Sequence, residues 1–363
     1  MLECYNVIMF FMDITFFPLI KVFFLSTISF LFALAWVPFL IRFLKKYNLG
    51  KKIRASADTP IFSKMHQIKS DTPTMGGILI WGTTLILALL FLFLTKLIRL
   101  PIFEQLNFLT RPETFLPFGA LIASALVGLG DDLLNIKGIG PNGGGFKIKH
   151  RLMLYTLIAT FIACFGAYWF YYKLEWSTIH VPFLGNFNIG LWFIPLFIFT
   201  IVATAFSVNE TDGLDGLAGG TLLIAFITFG VIAFVLGKVN LACFCGVISG
   251  ALLAFLWFNV YPAKFFMGDT GAMSLGVTLG VIAMLTNTFL LLPIICFLFV
   301  IESLSVIIQF LSKKIRHKKI FLSSPIHHHL EAKAWPEPQI VMRFWIIAGV
   351  TAMIGLIIFL LEK

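Results

Sequence analysis

Long apolar runs follow one another along almost the whole chain, separated by short polar connections. Residues 189–208 and 217–236 are two examples, each matching the about 20 residues that cross a bilayer as a helix. The chain is 59% hydrophobic and 12% charged, with a mean hydropathy of +0.97, and no soluble core could bury that much apolar surface. The runs are also too long for a β-barrel, whose strands alternate over about ten residues. We therefore predict an all-α polytopic membrane protein, with a single transmembrane domain over residues 1–363.

Counting about 20 apolar residues per span predicts about ten transmembrane helices. Residues 1–15 lack the basic region of a cleavable signal peptide, so the first helix is expected to remain. The predicted spans are 17–43, 76–98, 114–132, 152–172, 189–207, 217–236, 241–258, 271–287, 290–312 and 340–361.

The distribution of lysine and arginine predicts the orientation. Most of these residues lie in the connections that follow odd-numbered spans, which places those connections in the cytoplasm and both termini in the periplasm. One outward connection, 173–190, has alternating residues with a proline and glycines, and predicts a small exposed periplasmic hairpin. The cysteines lie mostly within apolar runs and predict no disulfide.

The stretch Asn209–Leu217 places Asp212 and Asp215 among glycines, between two apolar runs. Ionisable residues at the end of membrane helices are candidates for function. A helix cap followed by a glycine turn would use the same residue types, so this stretch alone leaves both interpretations open.

The other unusual polar clusters all fall on the same, cytoplasmic side of the predicted topology. They are Thr72–Gly77, Gly128–Asp132, Asn259–Gly271 and Ser324–Glu331. Carboxylates are frequent in these clusters and thiols are absent, which favours Mg²⁺ or Mn²⁺ over zinc. The carboxylates expected to converge are Asp131, Asp132, Asp212, Asp215 and Asp269.

Basic and imidazole side chains accompany these carboxylates. Lys69, Lys147, Lys149 and Arg151 could clamp phosphate oxygens, although positive-inside charge accounts for basic residues here equally well. The consecutive histidines 327–329 lack the spacing of a helical zinc site. They are either a solvated polar loop or, beside the basic run 313–319, groups that meet an anion. Together the clusters predict phosphoryl transfer between a water-soluble nucleotide and a lipid, with no nucleic-acid partner.

The motifs that carry a resemblance occur in order along the chain. They are TPTMGG (72–77), GDD (130–132), NxTDGLDGLA (209–218), NxYPAxxFMGDTG (259–271), ExLSVIxQ (302–309) and PIHHHLE (325–331). With these motifs the chain resembles the phospho-N-acetylmuramoyl-pentapeptide-transferases. The resemblance implies ten transmembrane helices in the bacterial inner membrane, a homodimer and Mg²⁺. It also implies transfer of phospho-MurNAc-pentapeptide from UDP-MurNAc-pentapeptide to undecaprenyl phosphate, giving lipid I and UMP.

The resemblance also implies roles for individual residues. Asp269 matches the magnesium ligand and a catalytic position, Asp131 and Asp132 match the catalytic pair near the lipid phosphate, and His327 matches a further catalytic position. We expect Phe266 to stack on the uracil base, and Asp131 to act on the lipid phosphate while Asp132 holds Lys69 or another cation. The remaining expected substrate-binding residues are Lys69, Thr74, Lys149, Asn209, Asp212, Gly213, Leu214, Asp215, Asn259, Gln309, His328 and His329.

At three positions within or next to these motifs, the chain departs from the family pattern. The family usually has lysine where this chain has Asn135, alanine where it has Ser324, and an apolar residue where it has Glu210. These departures concern the details of phosphate binding rather than the class of reaction.

Two alternatives use the same features. A relative that transfers GlcNAc-1-phosphate from its UDP carrier to a polyprenyl phosphate shares the paired aspartates and the metal, but the histidine run favours the muramoyl branch. An ion-coupled transporter would use intramembrane carboxylates. The carboxylates here lie at one membrane face rather than at the midplane, which argues against transport.

Overall fold

The computed structural model describes residues 2–50, 72–98, 101–110, 112–139 and 177–363, together with the helical residues Met153, Leu157, Thr160 and Phe161. The chain is mostly helical. In order, its elements are α1 (Leu2–Lys46), α2 (Gly77–Ile98), α3 (Pro101–Leu106), α4 (Pro112–Lys137), β1 (Thr178–Val181), β2 (Gly185–Asn188), a 3-10 turn (Gly190–Trp192), α5 (Phe193–Thr211), α6 (Leu217–Val235), α7 (Val239–Asn259), α8 (Gly268–Leu285), α9 (Leu292–Ile295), α10 (Phe297–Arg316), α11 (Ile326–Ala332) and α12 (Glu337–Leu361).

Within the described residues, eight helices have the length and composition needed to cross a membrane. They are α1, α2, α4, α5, α6, α7, α8 and α12, and they coincide with predicted spans one to three, five to eight and ten. The predicted fourth span, 152–172, lies largely outside the described residues. The fold is therefore that of a polytopic helical membrane protein, as the apolar runs predict.

The predicted ninth span, 290–312, is wrong as a continuous helix. Pro293 lies in the first turn of the short helix α9, and the backbone at Cys296 (φ −101°, ψ 33°) interrupts the helical path before α10 begins. Helix α10 then buries its polar side and exposes its apolar side. Its buried polar residues include Glu302, Ser303, Ser305 and Gln309, and its exposed residues include Leu304, Ile307, Phe310, Leu311 and Ile315.

Helices α7 and α8 form the centre of the bundle. In the membrane-spanning part of each helix, 78% of the residues of α7 and 89% of those of α8 are buried. The corresponding share is 28% for both α1 and α12, which lie at the periphery. Helix α8 packs against α4 and α5, while α7 packs against α1 and α6. With 18 residues, α8 is about 27 Å long, close to the thickness of a bilayer core.

The predicted hairpin is confirmed. Strands β1 and β2 pair antiparallel, with Thr178 opposite Asn188. The backbone N–H of His180 donates to Asn287 Oδ1 (3.0 Å), just beyond the end of α8, and His180 Nε2 lies 3.2 Å from Glu362 Oε2. The hairpin, the end of α8 and the end of α12 therefore share one end of the bundle.

Small residues allow the central helices to approach closely. A Cβ on Gly250 of α7 would collide with the carbonyl oxygen of Ser26 in α1 and lie 3.0 Å from the backbone nitrogen of Phe30. Such contacts matter in a bilayer, because lipid tails are as apolar as the side chains and close packing must hold the helices together.

We expect Gly250→Val to destabilise the protein by about 1–3 kcal/mol, since the added side chain must push α1 away from α7. Gly349→Ala on α12 is the control, because a Cβ there has no neighbour within 4 Å. Thermal unfolding in detergent measures both variants. Equal melting temperatures for the two would contradict the close approach.

Candidate active site

The segment Thr72–Gly77 supports the loop that precedes α8. The N–H of Phe266 donates to the carbonyl of Pro73 (2.8 Å), and the N–H groups of Gly76 and Gly77 donate to the carbonyls of Phe266 (2.7 Å) and Met267 (2.8 Å). Thr74 is buried at 4% exposure. The glycines therefore let one backbone lie directly on another and hold Phe266 in position.

Asp132, near the end of α4, binds the start of α8. Its Oδ1 accepts the N–H of Asp269 (3.1 Å) and its Oδ2 accepts the N–H of Thr270 (3.0 Å). The first N–H groups of a helix lack partners within the helix, and a carboxylate there also interacts favourably with the helix dipole. Glycine is needed at position 268, where φ is +74°, because a Cβ added there would lie 2.7 Å from Asp132 Oδ2.

The Asp132 carboxylate thus binds the positively polarised end of a helix. The sequence also predicted that Asp132 holds Lys69 or another cation. Lys69, the residue named for that role, lies outside the described residues, as do Lys147, Lys149 and Arg151. The predicted phosphate clamp stays a prediction.

Asp269 lies at the start of α8, partly exposed, and is held from two sides. Its Oδ1 accepts from Asn209 Nδ2 of α5 (2.6 Å) and its Oδ2 accepts from Asn135 Nδ2 of α4 (3.3 Å). Asn209 is a predicted site residue. Asn135 stands out in the sequence only as a departure from the family pattern, and sequence reasoning missed its contact with Asp269.

The other predicted carboxylates take different positions. Asp131 is 5% exposed and lies beside Asp132 on α4. Asp212 ends α5 and is partly exposed, and Leu214 beyond it is buried. Within the described part of the chain, the acidic, histidine and cysteine side chains form no group of three or more suited to a metal ion.

Asp215 and Asn259 hold the loop before α8 from its other side. Asp215 Oδ2 accepts the N–H of Ala263 (3.0 Å). Asn259 Oδ1 accepts the N–H of Gly216 (3.0 Å), and its Nδ2 donates to the carbonyl of Phe265 (2.9 Å). Both side chains are 4% exposed. Their contacts position the loop that carries Phe266, and the substrate binding expected of both residues stays a prediction.

The histidine run forms the short helix α11, and the interpretation as a solvated loop is wrong for His327. This side chain is fully buried, with Nδ1 3.0 Å from Glu302 Oε2 of α10. Its Nε2 has no hydrogen-bond partner among the described residues and lies against Gly213, where a Cβ would collide with it. Burial alone would lower the pKa of His327, but the carboxylates of Glu302, Glu331 and Glu210 outweigh it and raise the pKa.

Glu302 is a second residue that the sequence did not single out. It lies within a quoted motif and is the one acidic residue in the sequence of α10, which was a detectable signal. A carboxylate that holds one imidazole nitrogen orients the ring and favours its charged form.

The other predicted residues of this region stabilise its loops. His328 Nδ1 lies 2.6 Å from Glu331 Oε2. His329 Nδ1 accepts the N–H of Leu322 (3.1 Å). The pKa of His329 is lowered, mainly by burial and to a smaller extent by the positive charge of Lys333. Gln309 Oε1 accepts the N–H groups of Ile320 and Phe321, each at 3.0 Å. The structure therefore brings His327 and His328 to Gly213, whereas His329 and Gln309 bind the backbone of residues 320–322.

Comparison with known proteins gives two family matches. The model for glycosyl transferase family 4 matches residues 114–287, and a phospho-N-acetylmuramoyl-pentapeptide-transferase signature matches residues 69–80.

Curated relatives named phospho-N-acetylmuramoyl-pentapeptide-transferase match most of the chain. One from Chloroflexus aurantiacus is 40% identical over 326 residues, 87% of this chain and 83% of the relative. One from Clostridium novyi is 38% identical, over 90% of this chain and 94% of the relative. One from Buchnera aphidicola is 38% identical, over 91% of this chain and 95% of the relative.

The buried pair of His327 and Glu302 predicts a pH-dependent stability. Because the pKa of His327 is raised in the folded protein, the pair stabilises folding fully below pH 6.5, the usual pKa, and this contribution is lost as the pH rises through the raised pKa. Glu302→Gln should therefore cost about 3–5 kcal/mol at pH 6 and progressively less at alkaline pH.

Melting temperatures in detergent between pH 6 and pH 9 measure this difference. His317→Gln is the control, because His317 is exposed and should leave the pH profile of the wild type unchanged. A difference between wild type and Glu302→Gln that stays constant with pH would disprove the charged pair.

Proposed function

This chain belongs to the phospho-N-acetylmuramoyl-pentapeptide-transferase family, and we propose that its reaction takes place where α4, α5 and α8 meet at Asp269. The protein is a multi-pass enzyme of the bacterial inner membrane. It transfers phospho-MurNAc-pentapeptide from its UDP carrier to a polyprenyl phosphate and so forms lipid I. The observation that carries the proposed location is the partly exposed carboxylate of Asp269, held by Asn209 and Asn135 within a buried polar framework.

Asp269 would hold Mg²⁺ together with the diphosphate of the nucleotide substrate. The donor set fits, since Mg²⁺ takes oxygen ligands and is usually bound through one or two carboxylates plus substrate phosphates. The Asn209 amide donates to Asp269 Oδ1 (2.6 Å) and so keeps the carboxylate in place. When bound, the ion polarises the phosphorus and neutralises the leaving phosphate. The protein contributes by holding the Asp269 carboxylate in a fixed, partly exposed position.

The lipid phosphate would approach from the side of α5 and α10. An apolar cavity of about 270 Å³ lies there, lined among others by Phe199, Ala203, Pro293 and Phe299. Ser207, also in the lining, precedes Asn209 by two residues on α5. This cavity suits part of a polyprenyl tail, which we propose is undecaprenyl, and Asp131 would orient the phosphate or remove its proton.

The uridine would bind between Phe266 and the turn that follows α5. Phe266 is partly exposed, and its backbone is held by Pro73 and Gly76. Asp212 and Gly213 offer a carboxylate and backbone groups to read a base edge. His327, whose pKa is raised, would place positive charge near the phosphates, and His328 lies beside it against Gly213.

We also propose the finer topology and assembly implied by the resemblance. Asp269 lies at one end of α8, whereas the hairpin and Glu362 gather at the other. With the site in the cytoplasm, the hairpin and the C-terminus would lie in the periplasm. Ten spans in one domain, the N-terminus on the same side and a homodimer complete this proposal.

The curated relatives favour the muramoyl substrate over UDP-GlcNAc. The site geometry also opposes a transporter, because Asp269 lies at a helix end and not at the middle of α8. The direct test is incubation of purified protein with polyprenyl phosphate and either UDP-MurNAc-pentapeptide or UDP-GlcNAc, with UMP release as the readout. Release from UDP-MurNAc-pentapeptide alone is expected.

We expect Asp269→Asn to abolish UMP release, because the amide keeps the shape of the side chain but removes the charge that would hold Mg²⁺. The assay is run over a Mg²⁺ titration. Glu104→Gln is the control, since Glu104 is an exposed acid on α3. Near wild-type turnover of Asp269→Asn at saturating Mg²⁺ would remove Asp269 from the site.

Phe266→Ala should chiefly weaken nucleotide binding, since stacking of a base on an aromatic ring contributes about 1–3 kcal/mol. Equilibrium binding of the UDP substrate in detergent measures the loss, and Phe39→Ala, exposed on α1, is the control. An unchanged affinity for the UDP substrate in Phe266→Ala would show that the base binds elsewhere.

A further inference from the structure

Helix α4 contacts Asp269 through two of its side chains, one turn apart. Asp132 accepts the backbone N–H of Asp269 (3.1 Å), and Asn135 Nδ2 donates to Asp269 Oδ2 (3.3 Å). Residues three apart lie on the same face of a helix. One face of α4 therefore holds both the backbone and the side chain of Asp269.

We propose that Asn135 is a positioning residue that sets how tightly Asp269 binds a divalent cation. Asn209 restrains one oxygen of Asp269 (2.6 Å) and Asn135 restrains the other. The two amides come from α5 and α4, on either side of α8. With both in place the carboxylate cannot turn freely, so less rotational freedom is lost when a cation binds.

The chemistry of the amide matters as much as its position. An asparagine donates a hydrogen bond without carrying charge, so it restrains Asp269 without adding a positive charge beside it. A lysine at position 135, as the family usually has, could bring an ammonium group to the same oxygen and compete with a divalent cation. The asparagine in this chain therefore gives a more negative cation site than a lysine there would.

This inference rests on the proposed role of Asp269 in holding a divalent cation, and the test separates the two. Mn²⁺ is titrated into purified full-length protein in detergent at a fixed concentration of UDP-MurNAc-pentapeptide and without polyprenyl phosphate, and free Mn²⁺ is followed by electron paramagnetic resonance. The proteins compared are wild type, Asp269→Asn, Asn135→Ala, Asn135→Lys and Leu133→Ala. Leu133 is the matched control, because it is exposed on the same turn of α4.

The wild type should show a Mn²⁺ site that Asp269→Asn lacks. Loss of a group that orients a metal ligand typically costs about 10–100-fold in affinity, so Asn135→Ala should bind Mn²⁺ at least about tenfold more weakly. Asn135→Lys should bind it more weakly still, and Leu133→Ala should match the wild type. In turnover, Asn135→Ala should need correspondingly more Mg²⁺ and recover most of its rate when Mg²⁺ is raised.

The outcomes are distinguishable. A wild type without an Asp269-dependent Mn²⁺ site would overturn the proposed metal role, and the inference with it. An Asp269-dependent site with equal affinity in wild type and Asn135→Ala would overturn the inference alone. A lower melting temperature in Asn135→Ala with unchanged Mn²⁺ affinity and unchanged Mg²⁺ half-saturation would assign Asn135 a purely structural role and would also overturn it.

Discussion

One buried carboxylate, Asp132, binds the first free N–H groups of α8, and the rest of the site is arranged around this contact. In a bundle with little water, the start of a central helix needs a partner for those donors, and a buried aspartate needs compensation for its charge. Each satisfies the other. Because the contact joins α4 to α8, it also places Asp269 where Asn209 of α5 can reach it. The chemistry of the site therefore depends on a structural hydrogen-bond pair.

The polar residues around this contact fall into two groups. Asp215, Asn259 and Gln309 are buried and hold loop backbone, which keeps the surfaces above them rigid. Asp269 and Phe266 stay partly exposed on that framework. Rigid support raises the precision with which a site can hold a reacting phosphate, since misplacement by about an ångström can cost 100-fold in rate. Membrane helices packed through glycines provide such support without a hydrophobic driving force between them.

Much of this arrangement could be predicted from sequence, because apolar length and polar clustering are local signals. The hairpin and the turn between α5 and α6 follow from them directly. The break at Cys296 was not predicted, because residues 290–301 form one apolar run and Pro293 can stand at the start of a helix as well as at a break. The partners of Asp132 and Asn135 could not be predicted from sequence either. These partners, Asp269 and Thr270, lie on α8, more than a hundred residues away along the chain. A motif names a residue type, but only the fold shows which atoms it contacts.

Helix α10 reverses the usual relation between hydropathy and burial. Leucine, isoleucine and phenylalanine on its exposed side should exchange with one another at little cost in stability, because they are not packed inside the bundle. The small hydroxyl residues are the constrained ones: Ser303 donates to Ser207 Oγ (2.6 Å) and Ser305 to the carbonyl of Glu302 (2.7 Å). Replacing a serine of this helix should therefore disturb the fold more than exchanging one of its large apolar residues for another.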